Sequence, residues 1–167
     1  VTWPIIHGVS LMHYRLNRGK KCITLDLKVE AAREIYRELV KGADVVIEAS
    51  KPGALAKHGL GYEDLRRINP KIVFCTVSGY GMTGPYKDMP SHGIAYDTWS
   101  GACQPAYDDE GYCYIPEHVG IGINAAPLFG GLAVLAGVLR ARATGQGCFM
   151  DLAQSDAAAA FDWYRSE

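Results

Sequence analysis

The stretch KGADVVIEASKPGALAKHGLGYEDLRRINPKIVFCTVSGYG (41–81) decides the fold of this chain. Two short apolar runs within it, residues 44–48 and 71–77, have the length and the β-branched content of buried strands. Between the runs, the KPG tripeptide at 51–53 predicts a turn, and weaker helical segments follow it and end near Ile68. Because the second run is almost wholly apolar, we expect it to be a central strand of a sheet.

The residues before this stretch predict one more strand and a helix. Residues 21–27 (KCITLDL) alternate between apolar and polar side chains, which is typical of a half-buried strand. Residues 29–40 place apolar side chains at helical spacing, with charged residues opposite them and Gly42 at the C-terminal cap position. Strands and helices thus alternate in a βαβαβ series, for which right-handed crossovers favour parallel pairing. The predicted class is α/β, with a Rossmann-like open parallel sheet and flanking helices.

The second half of the chain predicts loops and helices around one further strand. The predicted elements are a Gly/Pro-rich loop at 78–93, a helical segment at 94–101, a hairpin turn at 108–111, a helix at 125–142 with Pro127 as an alternative first residue, a strand at 148–152 and a helix from Gln154.

The composition is that of an ordinary folded domain. The chain has 167 residues, of which 49% are hydrophobic and 21% are charged, and its formal net charge is −1. These values exclude a disordered or collagen-like chain, and they give no electrostatic footprint for nucleic acid or for an anionic membrane. We also expect no apolar run to approach the roughly 18 residues of a membrane helix.

The cysteines and the chain ends bear on location and completeness. The five cysteines form no CxxC pair and have no zinc-ligand spacing with histidine. We therefore expect reduced thiols, no metal site and a cytoplasmic protein without a signal peptide. Because the chain begins at Val1 and stops just beyond an Ala-rich helical run, we expect it to be a fragment of a longer protein.

Cationic residues cluster near the ends of the predicted strands. The run NRGKK (17–21) leads into the first strand, and Lys51 and Lys57 follow the second. Lysine and arginine donate charge-assisted hydrogen bonds to phosphate oxygens, and glycine lets backbone amides approach a ligand closely. These clusters are candidate phosphate-binding sites, and the alternative is that they are solvated surface cations.

The loop after the 71–77 strand carries two further signals. Its sequence GYGMTG (79–84) matches GxGxxG, but Pro85 and Pro90 prevent the helix that a dinucleotide-binding fingerprint requires. A nicotinamide or flavin site is therefore not expected here. His92 lies in the loop rather than on a periodic face, which makes it either a candidate acid/base group or a polar surface residue.

Four motifs in this order resemble those of the family III CoA-transferases, the group that includes formyl-CoA transferase, carnitine CoA-transferase and alpha-methylacyl-CoA racemase. The motifs are LNRGKKCITLDLK (16–28), ADVVIEASKPGAL (43–55), LGYEDLRRINPKIVFCTVSGYGMTGPY (60–86) and ATGQGCFMDLAQSDA (143–157). The resemblance implies part of the large Rossmann-like, CoA-binding domain across residues 1–167. The first βα unit, the small domain and the C-terminal segment would be absent.

The resemblance also implies the ligands and the partner. Coenzyme A, as acyl-CoA, would be a substrate rather than a covalently bound cofactor, and a carboxylic acid would be the second substrate. The family forms interlocked homodimers. The residues that would bind CoA are Asn17, Arg18, Gly19, Lys20, Ala49, Ser50, Lys51 and Lys57.

The catalytic residues of the family are matched less well. Family transferases use an aspartate upstream of a TGxGQ-like turn, but the matching stretch here, residues 122–125, has no carboxylate, and Asn124 stands at or beside the expected place. An amide is a poor nucleophile. His92 aligns with the acid/base histidine of the racemases, although Gly93 follows it where they carry aspartate. Glu117 is a third catalytic candidate, if its loop folds back towards the site.

Three functions remain open from the sequence. The first is transfer of CoA between carboxylic acids, the second is racemisation or isomerisation of an acyl-CoA through His92, and the third is a non-catalytic CoA-binding paralogue.

Overall fold

The computed structural model describes residues 4–115 and 120–161. The helices are α1 (Leu11–Leu16), α2 (Glu30–Lys41), α3 (Tyr62–Ile68), α4 (Gly93–Trp99), α5 (Ile121–Thr144) and α6 (Gln154–Phe161), with a short 3-10 helix at Ala56–His58. The strands are β1 (Ile5–Ile6), β2 (Val9–Ser10), β3 (Val45–Glu48), β4 (Val73–Ser78), β5 (Ala106–Tyr107), β6 (Cys113–Tyr114) and β7 (Cys148–Ala153).

A parallel sheet in the order β3-β4-β7 organises the described residues. Val73, the first residue of β4, lies opposite Val45 on one side and Cys148 on the other. The predicted α/β class, the parallel pairing and the central position of the 71–77 strand are confirmed. The connections between these strands contain α3 and α5, so the βαβαβ series is β3-α3-β4-α5-β7.

The strand predicted at 21–27 is wrong. Residues 21–26 form no ladder with any strand in the described ranges, and the Ile23 side chain is 60% exposed. Alternating hydrophobicity makes a strand only where a neighbouring strand offers its free N–H and C=O groups. The end of this segment is instead hydrogen-bonded to helix α2, which follows it: Arg33 Nη1 donates to the carbonyl oxygens of Leu27 and Lys28 at 2.9 and 3.0 Å.

The main core lies between the sheet and the pair α2 and α3. Its buried members are Val40, Val46, Leu60, Leu65, Ile72 and Phe74. A smaller cluster of alanines, Ala125, Ala126 and Ala157, packs α5 against α6 on the other side. The amphipathic helix predicted at 29–40 is confirmed, and Gly42 is its C-terminal cap.

Helix α5 is longer than predicted. It begins at Ile121, before the expected start at 125, and it contains Pro127 as an internal residue. The early start has a tertiary cause: the buried carboxylate of Asp97, on α4, accepts a hydrogen bond from the Gly122 N–H at 2.7 Å. Such a cap cannot be seen in the local sequence, because the two residues are far apart in the chain.

The expectation that no apolar run would approach membrane-helix length is also wrong. Helix α5 has 24 residues and is, by length and composition alone, apolar enough to cross a membrane. The residues of α5 that are buried in the fold are all small, namely Gly122, Ala125, Ala126, Gly130, Gly137 and Ala141. Gly130 and Gly137 lie so close to Leu152 and Met150 of β7 that a Cβ atom would overlap them.

The remaining predicted elements are confirmed with small changes in their bounds. The hairpin turn at 108–111 joins β5 to β6, and Asp108 Oδ1 accepts hydrogen bonds from the N–H groups of Glu110 and Tyr112. The helical segment predicted at 94–101 is α4, and β7 and α6 meet at Gln154 as expected.

Candidate functional site

A cleft of about 800 Å³ opens at the carboxyl end of the sheet. Its walls are the turn after β3 (49–52), the end of β4, the Gly/Pro-rich loop (79–92) and the amino-terminal residues Ile123 and Gln154 of α5 and α6. Open parallel sheets place ligands beyond the carboxyl ends of their strands, so this is the expected place for a binding site.

The turn after β3 brings three predicted CoA-binding residues into the cleft. Ala49, Ser50 and Lys51 all line it. Glu48, the last residue of β3, shapes the turn, because its Oε2 accepts the Ser50 N–H at 2.8 Å. Lys57 lies further along, in the 3-10 helix, and does not line the cleft.

The Gly/Pro-rich loop forms the opposite wall and is anchored at two points. The Met82 N–H donates to Asp151 Oδ2 on β7 at 2.8 Å, and the Ser155 N–H on α6 donates to the Gly79 carbonyl oxygen at 3.0 Å. Gly79 must be glycine here, because a Cβ atom would stand 2.0 Å from Ser91 Oγ. No helix opens within residues 79–92, as their prolines predict.

His92 lies at the end of this loop and lines the cleft, and its acid/base role stays a prediction. It is the N-cap residue of α4, and its carbonyl oxygen accepts the Ala95 N–H at 2.8 Å. Lys87 and Asp88 also line the cleft and were missed in the sequence. The signal that could have found them is their position: charged residues in a loop that leaves the central strand at its carboxyl end.

Asn124, the second catalytic candidate, does not line the cleft. Asn124 is exposed in the first turns of α5, and its Nδ2 donates to the Gly120 carbonyl oxygen at 2.8 Å. Its neighbour Ile123 lines the cleft, whereas Asn124 does not. Glu117 lies outside the described residues, so its role stays a prediction.

The first cationic cluster stands apart from the cleft. Lys20 Nζ donates to Asn17 Oδ1 at 3.1 Å in the turn after α1, and Gly19 there has a φ of 73°. Neither Asn17, Arg18, Gly19 nor Lys20 lines the cleft. Their assignment to CoA, like that of Lys57, stays a prediction.

The polar groups of the cleft include one without a partner. The Ser78 hydroxyl at the end of β4 is buried, and it has no hydrogen-bond partner in the described parts of the chain. An unpaired buried polar group costs free energy. Burial raises the pKa of the Tyr80 and Tyr96 phenols, and Asp97 raises that of Tyr96 further. Both phenols are therefore neutral hydrogen-bonding groups at pH 7.

Within residues 4–115 and 120–161, no three His, Cys, Asp or Glu side chains are grouped closely enough to hold a metal ion.

Comparison with known proteins identifies relatives along most of the chain. The family model described as CoA-transferase family III matches residues 2–164. Succinate--glutarate CoA-transferase of Agrobacterium fabrum is 36% identical over 86% of this chain and 36% of its own length. Acetyl-CoA:oxalate CoA-transferase of Acetobacter aceti is 34% identical over 95% of this chain and 41% of its own length.

The fold agrees with solved structures as well. A crystal structure of a CaiB/BaiF family protein from Brucella suis superposes with a TM-score of 0.81 at 31% identity, over 93% of this chain and 41% of the other. The chain thus spans about two fifths of the length of the relatives that it matches. The family predicted from the four motifs is confirmed, and the chain belongs to CoA-transferase family III.

Proposed function

We propose that the full-length protein containing this chain transfers coenzyme A from an acyl-CoA thioester to a carboxylic acid. The observation that carries the proposal is the cleft itself, in which Lys51 and Lys87 lie with a histidine and a carboxylate. The names of the relatives support it, since they describe CoA transfer involving succinate, glutarate, acetyl-CoA and oxalate.

Lys51 and the turn at the end of β3 are suited to bind the phosphates of CoA. Lys51 is exposed and follows Ser50, whose N–H is already used by Glu48. Charge-assisted hydrogen bonds from lysine to phosphate are among the stronger polar contacts. In the proposed complex, Lys51 binds a phosphate oxygen at the mouth of the cleft, and the thioester extends inward past His92. Asn17, Arg18, Gly19, Lys20 and Lys57 would reach more distant parts of CoA.

Transfer through an enzyme carboxylate needs a nucleophile that Asn124 cannot supply. Among the described residues that line the cleft, Asp88 is the only carboxylate. In the proposed step, an Asp88 oxygen attacks the thioester carbonyl carbon, the C–S bond breaks, and CoA leaves as a thiolate. The thiolate then attacks the aspartyl carbonyl of the mixed anhydride and releases the donor acid. The acceptor carboxylate then attacks the aspartyl-CoA thioester, and CoA leaves again as a thiolate. This thiolate attacks the acceptor's acyl carbonyl in the new mixed anhydride, which frees Asp88 and forms the new acyl-CoA.

His92 supports a second candidate, an acyl-CoA racemase or isomerase. The residue lines the cleft, and a histidine positioned there can remove and return a proton at the carbon next to a thioester carbonyl. This reaction needs no carboxylate nucleophile, which fits the amide at position 124.

One experiment separates these functions. The full-length protein is incubated in heavy water with a panel of acyl-CoA thioesters and free acids, and the products are identified by mass spectrometry. We expect CoA on a new acid, and sodium borohydride added during turnover should convert Asp88 to homoserine. The Asp88→Asn variant should lose transfer, whereas Asp109→Asn, an exposed carboxylate in the hairpin turn, should not.

The other outcomes are equally informative. If deuterium appears at the α-carbon without CoA exchange, and the His92→Ala variant no longer incorporates it, the protein is a racemase or isomerase and not a transferase. Neither reaction, together with measurable CoA binding, would leave a non-catalytic CoA-binding protein. Reduction at Glu117 instead of Asp88 would keep the transferase function but overturn the proposed nucleophile.

The family also leads us to propose a homodimer, a cytoplasmic location and membership of residues 1–167 in the large domain. The oligomeric state of the full-length protein, measured by analytical ultracentrifugation, tests the first of these.

A further inference from the structure

Asp97 is a buried carboxylate that the proposed reaction does not use. It lies on α4 and is 1% exposed. Burying a carboxylate is costly unless hydrogen bonds compensate for the lost hydration. Its Oδ1 accepts the Gly122 N–H at 2.7 Å, and Gly122 is one of the first residues of α5, where backbone N–H groups lack partners within the helix. Asp97 therefore caps a helix from a different element.

The contact lies at a junction of three elements. A Cβ atom on Gly122 would stand 2.8 Å from Asp97 Oδ1, from the Gln154 carbonyl oxygen and from Tyr96 Cδ2. Glycine is thus required for α4, the start of α5 and the start of α6 to approach this closely. Tyr96, Gln154 and Ile123 each line the cleft, so the junction forms the floor beneath it.

The junction joins two segments that each contribute a residue to the cleft. His92 lines the cleft and caps the helix on which Asp97 lies, and Ile123, which also lines it, follows Gly122 directly in α5. We propose that Asp97 is a positioning residue: by holding the Gly122 N–H, its carboxylate fixes the amino end of α5 against the helix that His92 begins. This proposal rests on the proposed function, because it requires that catalysis takes place in the cleft.

Asp97 acts from beneath the cleft and not in it. It does not line the cleft, which excludes direct attack on a thioester from its present position. What it supplies is a hydrogen-bond acceptor, and the side chain of asparagine retains one carbonyl oxygen at the same place. An acceptor role and a nucleophilic role therefore predict different results for Asp97→Asn.

The test uses the full-length protein with the variants Asp97→Ala and Asp97→Asn. In Asp97→Ala we expect kcat to fall on the order of 100-fold, because a small misplacement of reacting groups has that effect, with KM for acyl-CoA unchanged. Asp97→Asn should stay within about tenfold of wild type, since a neutral acceptor bonds more weakly than a charged one. Amide hydrogen exchange in residues 120–126 should quicken in Asp97→Ala and stay slow in Asp97→Asn.

Several results would overturn the proposal. One is unchanged kcat in Asp97→Ala despite faster exchange, and another is Asp97→Asn as inactive as Asp97→Ala while exchange stays slow. If Asp97→Ala does not fold, Gly122→Ala disturbs the same contact from the other side and should lower kcat without raising KM; unchanged kcat would reject the proposal. Turnover by the wild type tests the proposed function separately, and unchanged exchange in Asp97→Ala would refute the cap even if the wild type proves inactive.

Discussion

The two ends of the parallel sheet are built in different ways. At the amino end, where β3, β4 and β7 begin, the turns are fastened by hydrogen bonds between their own groups. Asn69 Nδ2 donates to the carbonyl oxygens of Val40 and Ala43 at 3.0 and 2.8 Å, and the Gly147 N–H donates to the Pro70 carbonyl oxygen at 2.8 Å. Polar groups at this end are used to hold the chain.

At the carboxyl end, polar groups are left available to a ligand. Ser78 Oγ is buried without a hydrogen-bond partner in the described ranges, and Lys51, Asp88 and His92 are exposed along the cleft. Hydrogen bonds at this end, such as those from the Met82 N–H to Asp151 and from the Gly122 N–H to Asp97, hold loops and helix ends in place. The amino end is thus closed by its own hydrogen bonds, and the carboxyl end carries the cleft to which we assign CoA binding.

The largest effect should follow a glycine substitution at the amino end. In Gly147→Ala, the new Cβ atom would lie 1.9 Å from the Ile72 carbonyl oxygen, and backbone cannot move aside as a side chain can. We expect the free energy of unfolding to fall by about 3 kcal/mol, measured by urea denaturation of the full-length protein. Gly131→Ala, where nothing lies within 4 Å, is the control and should be neutral or stabilising. Equal stability of the two variants would contradict the close contact.

A smaller loss should follow removal of the Asn69 amide. Asn69→Ala leaves the Val40 and Ala43 carbonyl oxygens without this donor, which should cost about 2 kcal/mol of unfolding free energy. Because the residue is at the amino end, kcat and KM for CoA transfer should not change. A kinetic effect as large as the loss of stability would show that the two ends are not independent.

At the carboxyl end, the loss of a hydrogen-bond acceptor should lower turnover more than it lowers stability. Asp151→Ala removes the acceptor for the Met82 N–H, so the Gly/Pro-rich loop loses one anchor. We expect a loss of about 1 kcal/mol in stability but a clear fall in turnover, measured on the same preparation. Unaltered turnover would mean that this anchor does not position the cleft wall.

The smallest effect concerns the buried thiols. Burial raises the pKa of Cys75 and Cys103, with Asp151 and Asp97 respectively adding to the rise. The folded state thus favours the neutral thiols, and their contribution to stability is complete below the ordinary thiol pKa and is lost as the pH rises through the folded value. At pH 8, iodoacetamide should label the exposed Cys22 and Cys113 before these two. Mass spectrometry of the labelled peptides checks the order, and early labelling of Cys75 would contradict its burial.

The local sequence was sufficient to predict the elements that are determined by their own residues. Strands β3 and β4 follow from their apolar runs, and α2 follows from its periodicity and its Gly42 cap. The cleft position of Lys51 could be predicted because the ends of the strands in a parallel sheet share an edge.

The features that were predicted wrongly or not at all depend on contacts outside the local sequence. The 21–27 run alternates correctly, but a strand also needs a partner edge, and none of the described strands provides it. The start of α5 depends on Asp97, distant in the chain, and the place of Asp88 in the cleft depends on how the Gly/Pro-rich loop folds back. Contacts of this kind leave no pattern in the local sequence.

The most direct test of the division between the two ends is CoA binding to two lysine variants of the full-length protein. Lys51 lines the cleft, and Lys71 is an exposed lysine at the amino end, so the two substitutions remove the same charge from opposite ends of the sheet. By isothermal titration calorimetry, we expect Lys51→Ala to weaken CoA binding about tenfold or more, as loss of one charged hydrogen bond should, and Lys71→Ala to leave it unchanged. Equal affinities of both variants, whether both reduced or both like wild type, would contradict the assignment of the cleft to CoA.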